Sequence, residues 1–278
     1  MDHKRYDLSK ILVTGASGIV GKNVCIALRK KKIKFKKLSS FSENKKFLLE
    51  KKKLVFNLSR KISPTLIIHC AIDDKLNPNF IKNVKMIKNL TKFFKAPIIY
   101  MSSVAVYENI KKEYLSENIK IKKLSSQYAK VKKICEDIVL SRNIDKDLCL
   151  RLPGIFSKKR KAGIISELMK KVHNRDYNVK FFDLDKQWQC INNEHFQICI
   201  MNILNSKLLN FKILNIGYNE NISLTKAIIL FNKKLPKYNK IILKRKTIKT
   251  RLNVNNLKKI MKKKLFTFEE GINLILKK

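Results

Sequence analysis

Ile11-Leu12-Val13-Thr14-Gly15-Ala16-Ser17-Gly18-Ile19-Val20-Gly21 lies near the N-terminus, and its reading decides the fold. Three apolar residues predict a short buried strand, and a glycine-spaced turn follows. Val20 and then Val24-Cys25-Ile26-Ala27-Leu28 open an apolar face of helical period. The chain has only seven glycines in 278 residues, and Gly15, Gly18 and Gly21 are three of them. In a chain so poor in glycine, each is expected where a side chain has no room. Strand, Gly-x-x-Gly-x-x-Gly and helix make a site for a dinucleotide pyrophosphate. The backbone approaches closely at the glycines, and the free N–H groups of the helix start face the anion. Contacts are expected from Gly15, Ser17, Gly18, Ile19, Val20 and Gly21; the alternative is a tight strand-to-helix turn with no ligand.

The composition narrows the class. Hydrophobic residues make up 45% and charged residues 30%, which suits a globular protein large enough to bury a full core. No stretch approaches the ~20 apolar residues of a membrane span. The polar Met1-Asp2-His3-Lys4-Arg5-Tyr6 lacks the apolar core of a secretion signal, so a cytoplasmic protein is expected. A net charge of +42 invites a nucleic-acid reading. Against it, nine of the basic residues are Arg and the rest Lys, whereas phosphate and base readers favour the Arg fork. The lysines also run from end to end beside much Ile and Asn, the pattern of drift in an AT-rich coding sequence. Six cysteines without C-x-x-C spacing read as reduced thiols, and four scattered histidines suggest no metal site.

Along the chain, helix is expected to about Lys31, and Ile33 to Leu38 alternates as a second strand. The position about 20 residues after the fingerprint, where an acid binds the adenosine ribose, holds Ser39-Ser40, with Glu43 the nearest acid. No carboxylate is there to repel a 2′-phosphate, and Lys36 and Lys37 are close. That favours NADP, while the lack of an Arg clamp keeps NAD open. Leu54-Val55-Phe56 reads as a short third strand, Leu66 to Ala71 as a fourth, and Pro97 to Met101 as a fifth ending at Ser102-Ser103. Asn79 to Phe94 repeats apolar residues at three- and four-residue steps, a helix. This alternation predicts a doubly wound parallel α/β sheet of Rossmann type.

Ser103, Tyr128 and Lys132 are the residues that could do chemistry. Ser103 closes a strand, and the carboxyl ends of such strands border the ligand crevice. Tyr128 and Lys132, four apart, share one face of a helix expected from about Ser126 to Leu140. Tyr titrates near ~10, and a neighbouring ammonium is expected to lower that value, making a proton donor or acceptor. Ser103 can hold the substrate oxygen while Tyr128 exchanges the proton.

With these residues in place, the chain resembles the extended short-chain dehydrogenases/reductases of the NAD-dependent epimerase/dehydratase type, which act on nucleotide sugars. Thr14 to Gly21 fits T-G-x-x-G-x-x-G. Ile67-Ile68-His69-Cys70-Ala71 resembles the V-I-H-x-A strand that lines the cofactor, which brings Cys70 and Ala71, with Ser39, into the expected cofactor set. Asn83-Val84 with Asn89-Leu90 is similar to N-V-x-G-T-x-N-L, with Met86 and Ile87 in place of Gly and Thr. Ser102 to Tyr107 resembles S-S-x-x-V-Y-G, with Glu108 where Gly is usual. The resemblance makes Ser103 the catalytic serine, Tyr128 the acid/base and Lys132 the nicotinamide-ribose ligand. Leu115-Ser116-Glu117 is similar to the acidic turn before the active Tyr. Weaker likenesses follow at Leu150 to Phe156, Ile213 to Leu224 and Phe268 to Ile272.

These imply a dinucleotide-binding domain over residues 1–157 and mainly a substrate-binding lobe over 158–278, partly interleaved with it. The expected activity is hydride transfer on a sugar, nucleotide-linked, by an NAD(P)-dependent epimerase; a 4-keto-sugar reductase and a non-catalytic NAD(P)-binding protein are the alternatives. Dehydration is disfavoured, because Val104 and Ala105 stand where dehydratases carry an acid/base pair. Arg151-Leu152-Pro153-Gly154 departs from R-Y-F-N, so nucleotide-sugar contacts do not carry over. Expected partners are a nucleotide-linked or other small sugar, with no membrane, no specific nucleic acid and a homodimer left open. His69, Trp188 and Arg151 each have a structural reading beside a ligand-binding one: a packed histidine, a half-buried indole and an ion pair.

Overall fold

The computed structural model describes residues 6–38, 48–73, 79–160, 163–173, 188–207, 210–234, 250–262 and 265–276. In the first half the elements run β1 (Ile11–Thr14), α1 (Ile19–Lys30), β2 (Phe35–Leu38), α2 (Lys52–Lys61), β3 (Leu66–His69), α3 (Phe80–Phe93) and β4 (Ile98–Ser103). A short 3-10 turn at Val104–Tyr107 precedes β5 (Tyr114–Leu115), α4 (Gln127–Leu140), β6 (Leu148–Leu152) and β7 (Gly154–Phe156). Then come α5 (Ile164–His173), β8 (Cys190–Asn192), α6 (Asn193–Asn205), β9 (Ile213–Asn215) and α7 (Leu224–Lys234). β10 (Arg251–Leu252), α8 (Asn255–Met261) and α9 (Phe268–Leu276) end the described chain.

Six strands form one parallel sheet in the order β2-β1-β3-β4-β6-β9. The alternation of strand residues divides the core in two. Ile11, Val13, Ile68, Ile99 and Met101 join α1, α6 and α8 on one face. Leu12, Ile67, Ile98, Tyr100 and Cys149 join α2, α3 and α4 on the other. Burial on both faces explains why these strands read as continuous apolar runs. Chain order reverses across β1, which has β2 on one side and β3 on the other, so the glycine turn after β1 sits at a topological switch point, where open sheets of this kind take ligands. Two small parallel pairs, β5 with β10 and β7 with β8, lie outside the sheet, whereas β9 belongs to it.

One expected element is different. Leu54-Val55-Phe56 is not a strand but part of α2. Only Val55 is buried, while Leu54 is 39% and Phe56 44% exposed. Val55, Leu58 and Ile62 recur at three and four residues and pack on α3, a helical stripe that the run of three apolar residues conceals. The expected strand at 66–71 is therefore β3 and that at 97–101 is β4. Exposed lysines occur on helices of both layers, for example Lys22 and Lys258 on one and Lys53 and Lys88 on the other, so the described charge is not gathered on one face. No described helix is long and apolar enough to cross a membrane.

Candidate active site

The three glycines of the first turn do different jobs. Gly15 has φ +64°, and a Cβ there would collide with the backbone of Cys70 and Ala71 at the end of β3. A Cβ on Gly21, inside α1, would run into the Gly15 carbonyl. These two let the β1 turn, α1 and β3 pack backbone to backbone. Gly18 differs: it is exposed, and a Cβ would have only the Gly15 carbonyl oxygen as neighbour, at an ordinary 3.5 Å. Nothing in the described fold requires a glycine there. Gly18 is also the N-cap of α1, with no side-chain cap bond and no acid in the first turn. That end of the helix keeps its positive character. Ser17 is exposed, Ile19 is 48% exposed and Val20 half-buried. Cys70 and Ala71 are also half-buried, and the Cys70 N–H donates to the Thr14 carbonyl at 3.1 Å. Ser39, like Ser40 and Glu43, lies outside the described residues.

β4 ends at Ser103, whose Oγ accepts from the Ala105 N–H at 3.2 Å and so caps the turn that follows. α4 begins at the Ser126 cap, whose Oγ accepts from the Ala129 N–H at 3.2 Å. Tyr128, Lys132 and Glu136 recur every four residues on one stripe of this helix. Tyr128 is partly buried, with the Ser103 hydroxyl as a hydrogen-bonding neighbour. Lys132 is 5% exposed; its Nζ donates to the Met101 carbonyl at 2.7 Å and stands 5.0 Å from the Tyr100 ring centroid and 5.7 Å from that of Tyr128. Serine, tyrosine and lysine thus meet at the carboxyl end of β4.

The electrostatics differ from the expectation in one respect. The Tyr128 phenol titrates above its ordinary value, not below it: burial raises it, and the Ser103 hydrogen bond only partly offsets this. The Lys132 ammonium donates to the Met101 carbonyl and stands 5.7 Å from the Tyr128 ring centroid, yet burial prevails and the phenol does not fall below its ordinary value as the sequence spacing suggested.

His69 is a packed histidine. It is 2% exposed, its Nδ1 is 2.7 Å from the Thr14 Oγ1, and its ring stacks on Tyr100 with centroids 5.8 Å apart. Burial first, then the nearby Lys132 charge, lowers its pKa to about 3. The unfolded chain regains a value near ~6.5, so this neutral imidazole's stabilisation is complete above that pH and is lost as pH falls towards about 3. A His69→Asn variant is expected to show a shallower loss of melting temperature over that window than the unaltered protein.

Arg151 is an ion pair, not an anion ligand. Only 1% exposed, it donates from Nε to Glu136 Oε1 at 3.0 Å and from one terminal nitrogen to Oε2 at 2.8 Å. Its other terminal nitrogen donates to the Tyr107 hydroxyl at 2.8 Å. Ser102 donates to the same Glu136 at 2.5 Å, and Tyr107 donates to Asn215 at 2.9 Å. Glu117, the acid of the turn before Tyr128, accepts from the Asn215 N–H at 3.0 Å. Trp188 is half-buried, edge-on to Phe268 at 5.9 Å.

Two positioning side chains stand outside the expected site. Asn83 of α3 donates to the carbonyls of Asp73 and Asn79 and accepts from the Asp73 N–H at 3.0 Å, pinning the chain after β3. Its signal in the sequence was the Asn-Val pair. Glu108 accepts from Ser126 at the start of α4; its signal was the departure from glycine.

The overall structure is similar to a UDP-glucose 4-epimerase of Thermotoga maritima (TM-score 0.77, 16% identity, 96% of this chain and 97% of that one). It is also similar to the WbmG enzyme of Bordetella bronchiseptica in complex with NAD (0.77, 14%, 96% and 92%). A third likeness is to TunA, an NAD-dependent NDP-hexosamine 5,6-dehydratase of tunicamycin biosynthesis (0.75, 16%, 96% and 96%). At these identities the likeness establishes the fold. Among curated proteins none matches the sequence. The description of the NAD dependent epimerase/dehydratase family matches residues 11–217, from the first strand through the glycine turn, Ser103, Tyr128 and Lys132 to Gly217. The chain belongs to the NAD dependent epimerase/dehydratase family.

Proposed function

We propose that this protein epimerises a nucleotide-linked sugar, with NAD or NADP as cofactor and Tyr128 as acid/base. The observation that carries the reading is the meeting of Ser103, Tyr128 and Lys132 at the carboxyl end of β4, on the sheet edge that also carries the Gly15–Gly21 turn. Gly15, Ser17, Gly18, Ile19, Val20 and Gly21 hold the dinucleotide, with Cys70 and Ala71 beside it. When bound, the nicotinamide would supply the hydride acceptor and donor for the sugar carbon. Ser103 holds the sugar oxygen. Tyr128, as phenolate, takes the hydroxyl proton as the sugar carbon is oxidised, and the phenol so formed, its pKa raised by burial, returns that proton as the keto group is reduced. Lys132 holds the nicotinamide ribose and balances the phenolate while it exists.

The substrate class is supported by the UDP-glucose 4-epimerase named for the Thermotoga structure, and NAD by the complex named for the Bordetella enzyme. Lys36 and Lys37, exposed on β2, leave a 2′-phosphate welcome. Residues 158–278 supply most of the sugar-binding lobe. Six free cysteines fit the reducing cytoplasm.

Gly18 tests the cofactor site separately from the fold. Gly18→Ala is expected to leave the melting temperature unchanged and weaken dinucleotide binding by about tenfold, roughly 1.4 kcal/mol. Gly21→Ala is expected to destabilise the protein, because its Cβ has only backbone to displace.

The function itself is tested by titrating NAD and NADP into the protein by fluorescence and then adding UDP-glucose. An epimerase yields the 4-epimer with no net change in reduced cofactor. A reductase instead consumes reduced cofactor when given a 4-keto nucleotide sugar. Binding with neither turnover marks a non-catalytic protein, and binding of neither dinucleotide overturns the reading.

A further inference from the structure

We infer that Glu108 is a positioning residue that sets Tyr128 against Ser103 by clamping the first turn of α4 to the turn that follows β4. The inference rests on Tyr128 being the acid/base proposed above. Ser103 and Tyr128 come from different elements, separated by 24 residues of chain that contain only the two-residue β5 as a strand. Something must hold the two ends in register. Glu108 directly follows the 3-10 turn capped by Ser103, and its carboxylate reaches across to the start of α4. Oε1 accepts from the N–H groups of Ser125 and Ser126, the latter at 2.8 Å, and Oε2 accepts from the Ser126 hydroxyl at 2.6 Å. The neighbouring Asn109 adds a second strap, donating to Ser125 Oγ at 3.0 Å.

The chemistry suits a clamp. Ser126 caps α4, so the carboxylate orients the very hydroxyl that receives the Ala129 N–H. A negative charge at this end also complements the helix dipole. Burial works against the Glu108 charge, but the bonds from Ser126 and Ser125 outweigh it and lower its pKa, so the acceptor is ionised at neutral pH. Tyr128 lies two residues beyond the cap, within the turn that the clamp holds. A glycine at position 108, usual in the family's motif, could make none of these side-chain bonds. Displacement of a reacting group by about 1 Å can cost up to 10²-fold in rate, so an exposed side chain that touches no substrate can still set turnover.

The test compares Glu108→Ala and Glu108→Gln with the unaltered protein. Gln keeps an acceptor for the two amides and can donate to the Ser126 hydroxyl, so it preserves the geometry without the charge. We expect Glu108→Ala to lower kcat by about tenfold, with KM and dinucleotide affinity within about twofold, and Glu108→Gln to restore most of that loss. A merely stabilising role would lower the melting temperature and leave kcat alone. A kcat for Glu108→Ala within about twofold of the unaltered protein overturns the inference, as does a loss that Gln fails to restore. Should the unaltered protein turn over no nucleotide sugar, the functional reading fails instead, and the clamp is then read from the Tyr128 phenol by NMR titration. Release of the first turn lets water in, so its midpoint in Glu108→Ala is expected to fall towards ~10; an unmoved midpoint overturns the clamp.

Discussion

Tyr128→Phe is expected to lower turnover by about 10²–10⁴-fold, the range that general acid–base catalysis supplies. Dinucleotide affinity should stay within about twofold. The substitution removes one oxygen from a partly buried ring and leaves the ring's contacts with Lys132 in place, so fold and cofactor site are little disturbed. What disappears is the oxygen proposed to exchange the proton with the sugar. Single-turnover mixing of the cofactor-loaded protein with UDP-glucose, followed by reduced-cofactor absorbance, reads the step directly. Because burial raises the phenol's pKa, protonated Tyr128 persists to alkaline pH. Turnover in the reducing direction should therefore hold up above neutrality and fall only as the phenol ionises. Ser103→Ala should cost less, since it removes a hydrogen bond to the reacting oxygen but not the proton itself.

Much of this arrangement is legible in the residues. The switch-point turn follows from Gly15 to Gly21, and the pairing of Tyr128 with Lys132 follows from their four-residue spacing on a helix. Local sequence failed where tertiary context decides. Leu54-Val55-Phe56 looks like a buried strand until its neighbours show that one side chain in three is covered. Spacing brought the Lys132 ammonium near the phenol but could not show that it also donates to Met101 of another element, or that burial decides the direction of the phenol's shift. Arg151 and Glu136 are 15 residues apart and on different elements, so their pairing depends on how α4 lies on the sheet. Glu108 was visible only as a departure from glycine, because its partners at 125 and 126 are close only after folding.

The second large effect belongs to that buried pair. Arg151→Leu is expected to destabilise the protein by about 3–5 kcal/mol, the usual cost of breaking a buried ion pair from one side. Glu136 is fully buried and receives two guanidinium bonds, so its carboxylate would stay buried with Ser102 as its remaining donor. Arg151→Lys should rescue little, since an ammonium cannot reproduce the bidentate fork. Replacing both, with Arg151→Leu and Glu136→Leu together, should recover part of the loss, because no charge is then stranded. Ser102 and Tyr107 would still lose partners, at about 1–3 kcal/mol for a buried polar group left unsatisfied. Urea midpoints of the two single variants and the double variant measure the coupling. The pair also bears on chemistry, because Glu136 lies on the same α4 stripe as Tyr128 and Lys132. Arg151, in register with Ser102 on β4 and Asn215 on β9, thereby ties α4 to the middle of the sheet. If that tie positions the helix, the double variant will refold yet keep a lowered kcat, whereas full recovery of both would make the pair a matter of stability alone.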